Sequence, residues 1–170
     1  MEGVVRLEVP TPEEGFVNIT RKVEEALSGH TGLVYLFVPH TTCGLTVQEG
    51  ADPTVAQDLL SRLAELAPRH RPQDRHLEGN SHAHLKSLLT GVHLLLLAEK
   101  GRLRLGRWQQ VFLVEFDGPR VREVWVRLLS SPRKARRASS SRYGATKKGP
   151  HSPWRAETSP PRHGCSGGRT

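Results

Sequence analysis

The sequence predicts an α+β domain in which a mainly antiparallel sheet system is packed by two or three helices. Three observations predict it. Strand-like stretches dominate both ends of the first 130 residues, helical spacing is confined to the middle, and turn residues punctuate the second half at short intervals. The 170 residues, 36% hydrophobic and 25% charged, allow one ordinary core, at roughly 100–200 residues per domain, with enough Leu and Val to fill it.

Alternating Val5, Leu7 and Val9 form a first strand, which Pro10-Thr11-Pro12 closes because proline cannot donate to a ladder. Asn18 caps a helix in which Ile19, Val23, Ala26 and Leu27 share a face, and Ser28-Gly29 stops it. Residues 33–38 are almost continuously apolar, which predicts a central strand buried on both faces and ended by Pro39. After His40-Thr41-Thr42-Cys43-Gly44, Leu45-Thr46-Val47 makes another short strand. Asp52 then reads as an N-cap with Pro53 at the first helical position, followed by an apolar face of Val55, Ala56, Leu59, Leu60, Leu63 and Leu66. Residues 68–81 have no periodicity and are long for a connection, the kind of segment in which function concentrates. A short helix over 83–89 follows, and then strands at 93–98, 102–105, 108–116 and 121–129, read as an antiparallel meander.

Charge divides the chain. Residues 131–170 carry ten Lys or Arg against one Glu, +9, which leaves 15 basic and 16 acidic residues, or −1, in residues 1–130. This tail is rich in Ser, Pro, Gly and Arg and nearly free of aliphatic residues, so it is expected to be disordered. The longest apolar run, residues 92–98, is far short of the ~18 needed to span a bilayer and contains His93. With no basic, apolar secretory leader at Met1, the expectation is a cytoplasmic protein without membrane contact. Two cysteines in unlike segments argue against a disulfide framework, and Cys43 beside a strand reads as a small buried filler.

Polar residues gather where apolar elements end: His40-Thr41-Thr42, Glu49 with Asp52, His76 through His84, and Glu115-Phe116-Asp117. Imidazoles with carboxylates suit zinc and related ions, for which three protein ligands and an open position are the catalytic arrangement. His76 and His84 are eight apart across a Gly-containing turn, which permits convergence without forcing it. A lone loop histidine is ordinarily just solvated, the reading for His30, His70, His82 and His93; on a helix His82 and His84 point to different sides. Glu99, Lys100, Arg102 and Arg104 read as a solvated hairpin face, and Trp108, heading a strand, as core.

Three blocks in order, HTTCGLTVQEGADP, HLEGNSHAHLKSLLTG and GRWQQVFLVEFDGPR, resemble the YjbQ family, small proteins often labelled secondary thiamine-phosphate synthase. The resemblance spans about residues 3–130. It implies a compact α+β fold, barrel-like or a sandwich, that assembles into a homotrimer with a site of histidines and acids near the subunit boundary, holding a divalent metal, zinc by donor type, or an anion. By matching position it makes His40, His76 and His84 the metal ligands. Glu78, Glu115 and Lys86 become the catalytic candidates, and Asp52, Asn80, Trp108, Gln109 and Arg120 the substrate-binding ones. Gly50 stands where the family commonly has Asn, and Cys43 where a small Ala or Ser is usual; the tail has no counterpart.

Three functions follow as expectations. The resemblance implies an enzyme joining a phosphorylated pyrimidine to a phosphorylated thiazole, with the metal, Lys86 and Arg120 neutralising phosphate charge. The same residues suit a metal-dependent hydrolase or other small-molecule enzyme, with Glu78 or Glu115 as base. The pI of about 10.2 and the Arg133–Arg137 run suit non-specific nucleic-acid contact by the tail, sensitive to salt through counterion release.

Overall fold

The computed structural model describes residues 3–129; the expectations of a disordered, nucleic-acid-contacting tail at 131–170 fall outside them. Eight strands and three helices follow in the order β1 (Val5–Thr11), β2 (Gly15–Asn18), α1 (Thr20–Leu27), β3 (Gly32–Phe37), β4 (Cys43–Glu49), α2 (Pro53–Leu66), α3 (Ser81–Thr90), β5 (His93–Glu99), β6 (Arg102–Leu103), β7 (Gln109–Glu115) and β8 (Arg120–Leu129). They build a five-stranded sheet, ordered β1-β8-β3-β5-β6, and a three-stranded sheet, β2-β7-β4, with every neighbouring pair antiparallel. The α+β class with a mainly antiparallel sheet system and three helices is therefore as the sequence predicts.

The pairing is not a meander. Among the described residues only β5 and β6 form a hairpin; β7 leaves for the small sheet, and β8 returns between β1 and β3. Local alternation specifies that a strand exists but not its neighbour, because every apolar face offers the same burial. β1 runs through Pro10 to Thr11 instead of ending there, since it lies at a sheet edge, where a proline costs no ladder bond. Asn18 closes the short strand β2, which the sequence reading missed; α1 starts at Thr20, one residue later than an Asn18 cap would give, with Asn18 Oδ1 accepting from the Thr20 N–H at 3.0 Å.

The layers are large sheet, small sheet, helices. Between the sheets the main core packs Val9, Val34, Leu36, Val38, Val124 and Val126 against Leu45, Val111 and Leu113, with Ile19, Val23 and Leu27 closing one side. The other face of the small sheet packs Phe112, Val114 and Phe116 against Ala83 of α3 and Leu60 and Leu63 of α2. The strand buried on both faces is thus β7 and not β3. In β3, Val34 and Leu36 face the core, while Leu33 is exposed and Tyr35 and Phe37 are half-buried on the outer face. That face continues through exposed Leu95 and Leu97 and ends at Leu129.

Asp52 caps α2 as expected, its Oδ1 accepting from the Thr54 N–H at 2.9 Å and the Thr54 hydroxyl at 2.7 Å. Even so, none of α2 is fully buried, and Leu66 is exposed. No helix among the described residues is long and apolar enough to cross a membrane. α3 presses on the rim of β4: Ser87 donates to the Cys43 carbonyl at 2.7 Å, and a Cβ at Gly44 would lie 2.7 Å from the Gly91 carbonyl and 2.8 Å from the Thr90 side chain. Gly44→Ala must therefore push α3 outward. Denaturant unfolding should show it less stable by about 1–3 kcal/mol, the usual cost of overpacking.

Candidate functional site

The core between the sheets is sealed at one end by a buried ion pair. Glu115 closes β7 on the inward register of Val111 and Leu113, and Arg122 opens β8 on the inward register of Val124 and Val126. They are 0% and 5% exposed. Arg122 donates Nε to Glu115 Oε2 at 2.7 Å and Nη2 to Oε1 at 2.6 Å, and Nη2 also reaches Thr42 Oγ1 at 2.8 Å. The Thr11 hydroxyl donates to Oε2 at 2.7 Å, while the N–H groups of Phe116 and Asp117 donate to Oε1 at 3.1 and 2.9 Å. Burial pushes the Glu115 carboxyl upward, but Arg122, the Asp117 N–H and Thr11 outweigh it and hold the group below its ordinary range. Burial likewise opposes the Arg122 charge, and Glu115 more than restores it.

His40 lies on the crossover from β3 to β4, where its Nε2 accepts from the Glu123 N–H at 2.9 Å. Burial first, and then the Arg122 charge, lower its pKa. Beyond Glu115 the chain turns, and Asp117 Oδ2 accepts from Asn80 Nδ2 at 3.0 Å and Arg120 Nη2 at 2.9 Å. Burial raises the Asp117 pKa, but these two partners bring it net downward. Asn80 also donates to Glu78 Oε2 at 3.2 Å, and Glu78 lies 3.9 Å from His76 Nε2. The His76 and His84 rings meet edge to face with centroids 5.1 Å apart. Asn80 Oδ1 is buried without a hydrogen-bond partner among the described residues.

The fold thus brings His76, His84, Glu78, Asn80 and Arg120 into one polar cluster around Asp117, with His40 and Glu115 at the adjoining sheet ends. Lys86 is only 2% exposed, ion-paired with Glu14 and stacked over Phe116 at 5.9 Å. Asp52, Trp108 and Gln109 are elsewhere. Gln109 pairs with Glu49 and the Trp108 carbonyl accepts from Gly50, at the far end of β7 from Glu115. Six strand steps of about 3.4 Å separate those ends by about 20 Å. Among the described residues no three His, Cys, Asp or Glu side chains stand within common reach of a metal ion.

Two histidine-and-aromatic expectations are corrected. His82, expected to be solvated, is 6% exposed because the first turn of α3 lies against the small sheet; burial and Lys86 lower its pKa. Trp108, expected in the core, is 54% exposed because it precedes β7 in a turn, and the Arg107 guanidinium covers its ring at 4.7 Å. Cys43 is the buried filler expected, with burial pushing its thiol up to about 11. Sequence reasoning missed Arg122, Thr11 and Glu14. The available signal was a charged residue on the inward register of β8, in phase with Val124 and Val126.

A two-sheet α+β protein with a histidine–carboxylate cluster at one end of its sheets is the class these features define. The family profile described as UPF0047 protein YjbQ-like matches residues 5–131, and the chain belongs to that family. It is 43% identical to UPF0047 protein YugU of Bacillus subtilis over 122 residues, 70% of this chain and 92% of that one. It is 42% identical to UPF0047 protein MJ1081 of Methanocaldococcus jannaschii, covering 68% of this chain and 86% of that one. Among solved structures, the conserved hypothetical protein TT1486 of Thermus thermophilus is 98% identical, with TM-score 0.73, over 74% of this chain and 99% of that one. A YjbQ/UPF0047 protein of Clostridium acetobutylicum is 40% identical, with TM-score 0.70, over 74% and 99%.

Removing one member of the buried pair strands the other. Arg122→Met should cost about 3–5 kcal/mol in urea unfolding, whereas Arg122→Met with Glu115→Leu should recover most of it. A double variant as unstable as the single one would show that the pair itself is not the cause. Because the folded-state pKa of Glu115 is depressed, its contribution is complete above the ordinary carboxylate range and is lost as pH falls through the lower folded value. Glu115→Gln should accordingly be less stable at neutral pH and lose stability less steeply on acidification.

Proposed function

We propose that this protein is a small-molecule enzyme acting on phosphorylated substrates at the His76–His84 cluster. The reaction is the one the family resemblance implies: a phosphorylated pyrimidine and a phosphorylated thiazole give thiamine phosphate and pyrophosphate. The observation that carries this reading is the convergence of two imidazoles, the Glu78 carboxylate and the Arg120 guanidinium at one end of the two packed sheets. In this reaction the thiazole nitrogen forms a C–N bond to the pyrimidine methylene carbon as its C–O bond to pyrophosphate breaks. Negative charge grows on the leaving oxygen, so the catalytic need is for preorganised positive charge and donors.

Arg120 supplies that charge, oriented by its bonds to the Asp117 carboxylate and carbonyl. Asn80 and Glu78 fix the loop that presents His76. Glu115 and Lys86 act as positioning residues, because the first has both oxygens satisfied and the second is buried against Glu14. His76 and His84, with Glu78 beside His76, are donor types that zinc takes, although among the described residues of one chain no three such side chains stand within common reach of an ion. When bound, such an ion would polarise phosphate oxygens. His40, the third ligand the resemblance implies, has its Nε2 engaged by the Glu123 N–H, which leaves Nδ1 as the ring atom that would serve a metal.

The surface favours the homotrimer that the resemblance implies. The outer face of the large sheet exposes Leu33, Leu95 and Leu97, and the α2–α3 side exposes Leu66, Leu85, Leu88 and Leu89. Two unlike apolar patches match a head-to-tail contact that closes into a ring, here a trimer. Copies so joined can also carry the Asp52, Trp108 and Gln109 end of one chain toward the cluster of the next. Phosphorylated substrates do not cross membranes unaided, which favours a reaction in the cytoplasm. A hydrolase acting through Glu78 is the second reading, favoured by the 3.9 Å approach of that carboxylate to His76.

Protein incubated with both precursors and metal should release thiamine phosphate, with His84→Ala and Arg120→Ala each slower by about 100-fold or more. Hydrolysis of either precursor alone would favour the second reading, and no turnover of any kind would remove both. Elemental analysis should find near-stoichiometric zinc or a related metal, lost in His76→Ala and His84→Ala. Light scattering should report three times the chain mass, reduced to a single chain by Leu95→Glu with Leu97→Glu.

A further inference from the structure

The two edges of the large sheet differ in length: β6 has two residues, whereas β1 presents seven. In an antiparallel ladder, alternate residues point their N–H and carbonyl groups toward the neighbour and away from it. Glu8 stands opposite Glu123, and the Glu123 N–H turns the other way, to His40 Nε2 at 2.9 Å. That pair exchanges no ladder bond, so the Glu8 N–H and carbonyl face the free edge. Arg6 and Pro10 share the phase of Glu8. Lys22 of α1, which donates to the Glu8 carbonyl at 2.6 Å, agrees with this direction.

The edge opens onto a groove of about 970 Å³ between Arg6, Glu8 and Pro10 on one side and Lys22, Glu25 and Ala26 on the other. A long unpaired edge is a template for a further strand. Pro10 has no N–H to give and stops pairing at its end, while Lys22 takes one of the two lone pairs of the Glu8 carbonyl. The other edge-facing groups of Arg6 and Glu8 are left to the groove.

Charge selects the occupant. Arg6 and Glu8 flank Leu7, are opposite in sign and are both exposed. If β1 pairs antiparallel with β1 of a second copy, only residues with edge-facing groups can exchange bonds, so the register moves in steps of two residues. Centred on Leu7, Arg6 meets the partner's Glu8 and Glu8 meets the partner's Arg6. One step in either direction sets Arg6 against Arg6 or Glu8 against Glu8, and like charges directly opposite are destabilising. The strand is self-complementary in this register and repelled in its neighbours.

We propose that β1 of one copy pairs with β1 of a second about a two-fold axis at Leu7. This surface is separate from the two leucine patches, and the proposal does not depend on the reaction at the His76–His84 cluster. A two-fold axis added to a closed ring doubles its chain number. One strand pair is small beside the roughly 1,200–2,000 Å² of a stable interface, so the doubling depends on protein concentration.

Light scattering of the full chain at rising concentration tests it. The mean mass should climb from its dilute value to twice that value, whether the dilute particle is one chain or three, which separates this proposal from the trimer. Arg6→Glu and Glu8→Arg should each associate at least about tenfold more weakly, because like charges then oppose each other at both pairs. An equal mixture of the two variants should regain the wild-type rise, since each chain's charges complement the other's, a rescue that misfolded chains do not give. Hydrogen exchange should show the Arg6 and Glu8 amides protected at high concentration and open at low. A wild-type mass independent of concentration, a mixture that stays at the dilute mass, or fast exchange of both amides at every concentration would overturn the proposal.

Discussion

One buried guanidinium–carboxylate pair determines where this protein can have a site. Arg122 and Glu115 come from different sheets, and neither can be buried alone without a penalty of several kcal/mol. They are tolerated together because the carboxylate oxygens are saturated by Arg122, Thr11 and two backbone N–H groups, while the guanidinium also reaches Thr42. Those partners belong to β1, the crossover after β3, the end of β7 and the start of β8. Satisfying the pair therefore fixes the ends of several strands at once. His40, Asp117 and Arg120 are all within three residues of a member of that network, so the polar end of the molecule is positioned by a structural requirement.

Around this fixed point, the environment sorts like side chains into unlike roles. Glu115 and Glu78 are both glutamates, yet the first is sealed in the core and the second stands exposed beside His76. His40 and His82 are driven toward neutrality by burial first and by neighbouring cations second. Lys86 is spent on Glu14 beneath the surface, whereas Arg120 is presented at it. One end of the sheets thus combines imidazoles, an accessible carboxylate and an oriented cation. The opposite end, with Trp108 and Gln109, cannot share that chemistry within one chain because β7 spans the distance between them.

Much of the fold is legible in the sequence because short-range periodicity records burial. The α2 cap at Asp52, the stop at Ser28-Gly29 and most of the strands follow from local rules, and so does the inert Cys43. The failures are informative in the same terms. Continuous apolar sequence at 33–38 reads as burial on both faces, but half of it serves an outer face that is open within one chain. The candidate site is legible in part: the segments containing His40, His76 to His84 and Glu115 to Asp117 stand out as polar breaks in apolar sequence. Arg122 and Thr11 do not, since a single polar residue within a strand resembles a solvent-facing position until its register is known.

The sequence by itself determined the family, the α+β class, most of the elements and the residue types available for chemistry, because motif order and apolar period are properties of the chain alone. Tertiary structure alone decided the strand order, the identity of the doubly buried strand and which polar residues meet. The physical reason is that pairing energy is nearly the same for any two compatible apolar strands, whereas a buried charge accepts only the arrangement that supplies all its partners. Glu115 finds two of those partners in the next two residues, but Arg122 on the other sheet and Thr11, 104 residues away, reach it only through the docking of the two sheets.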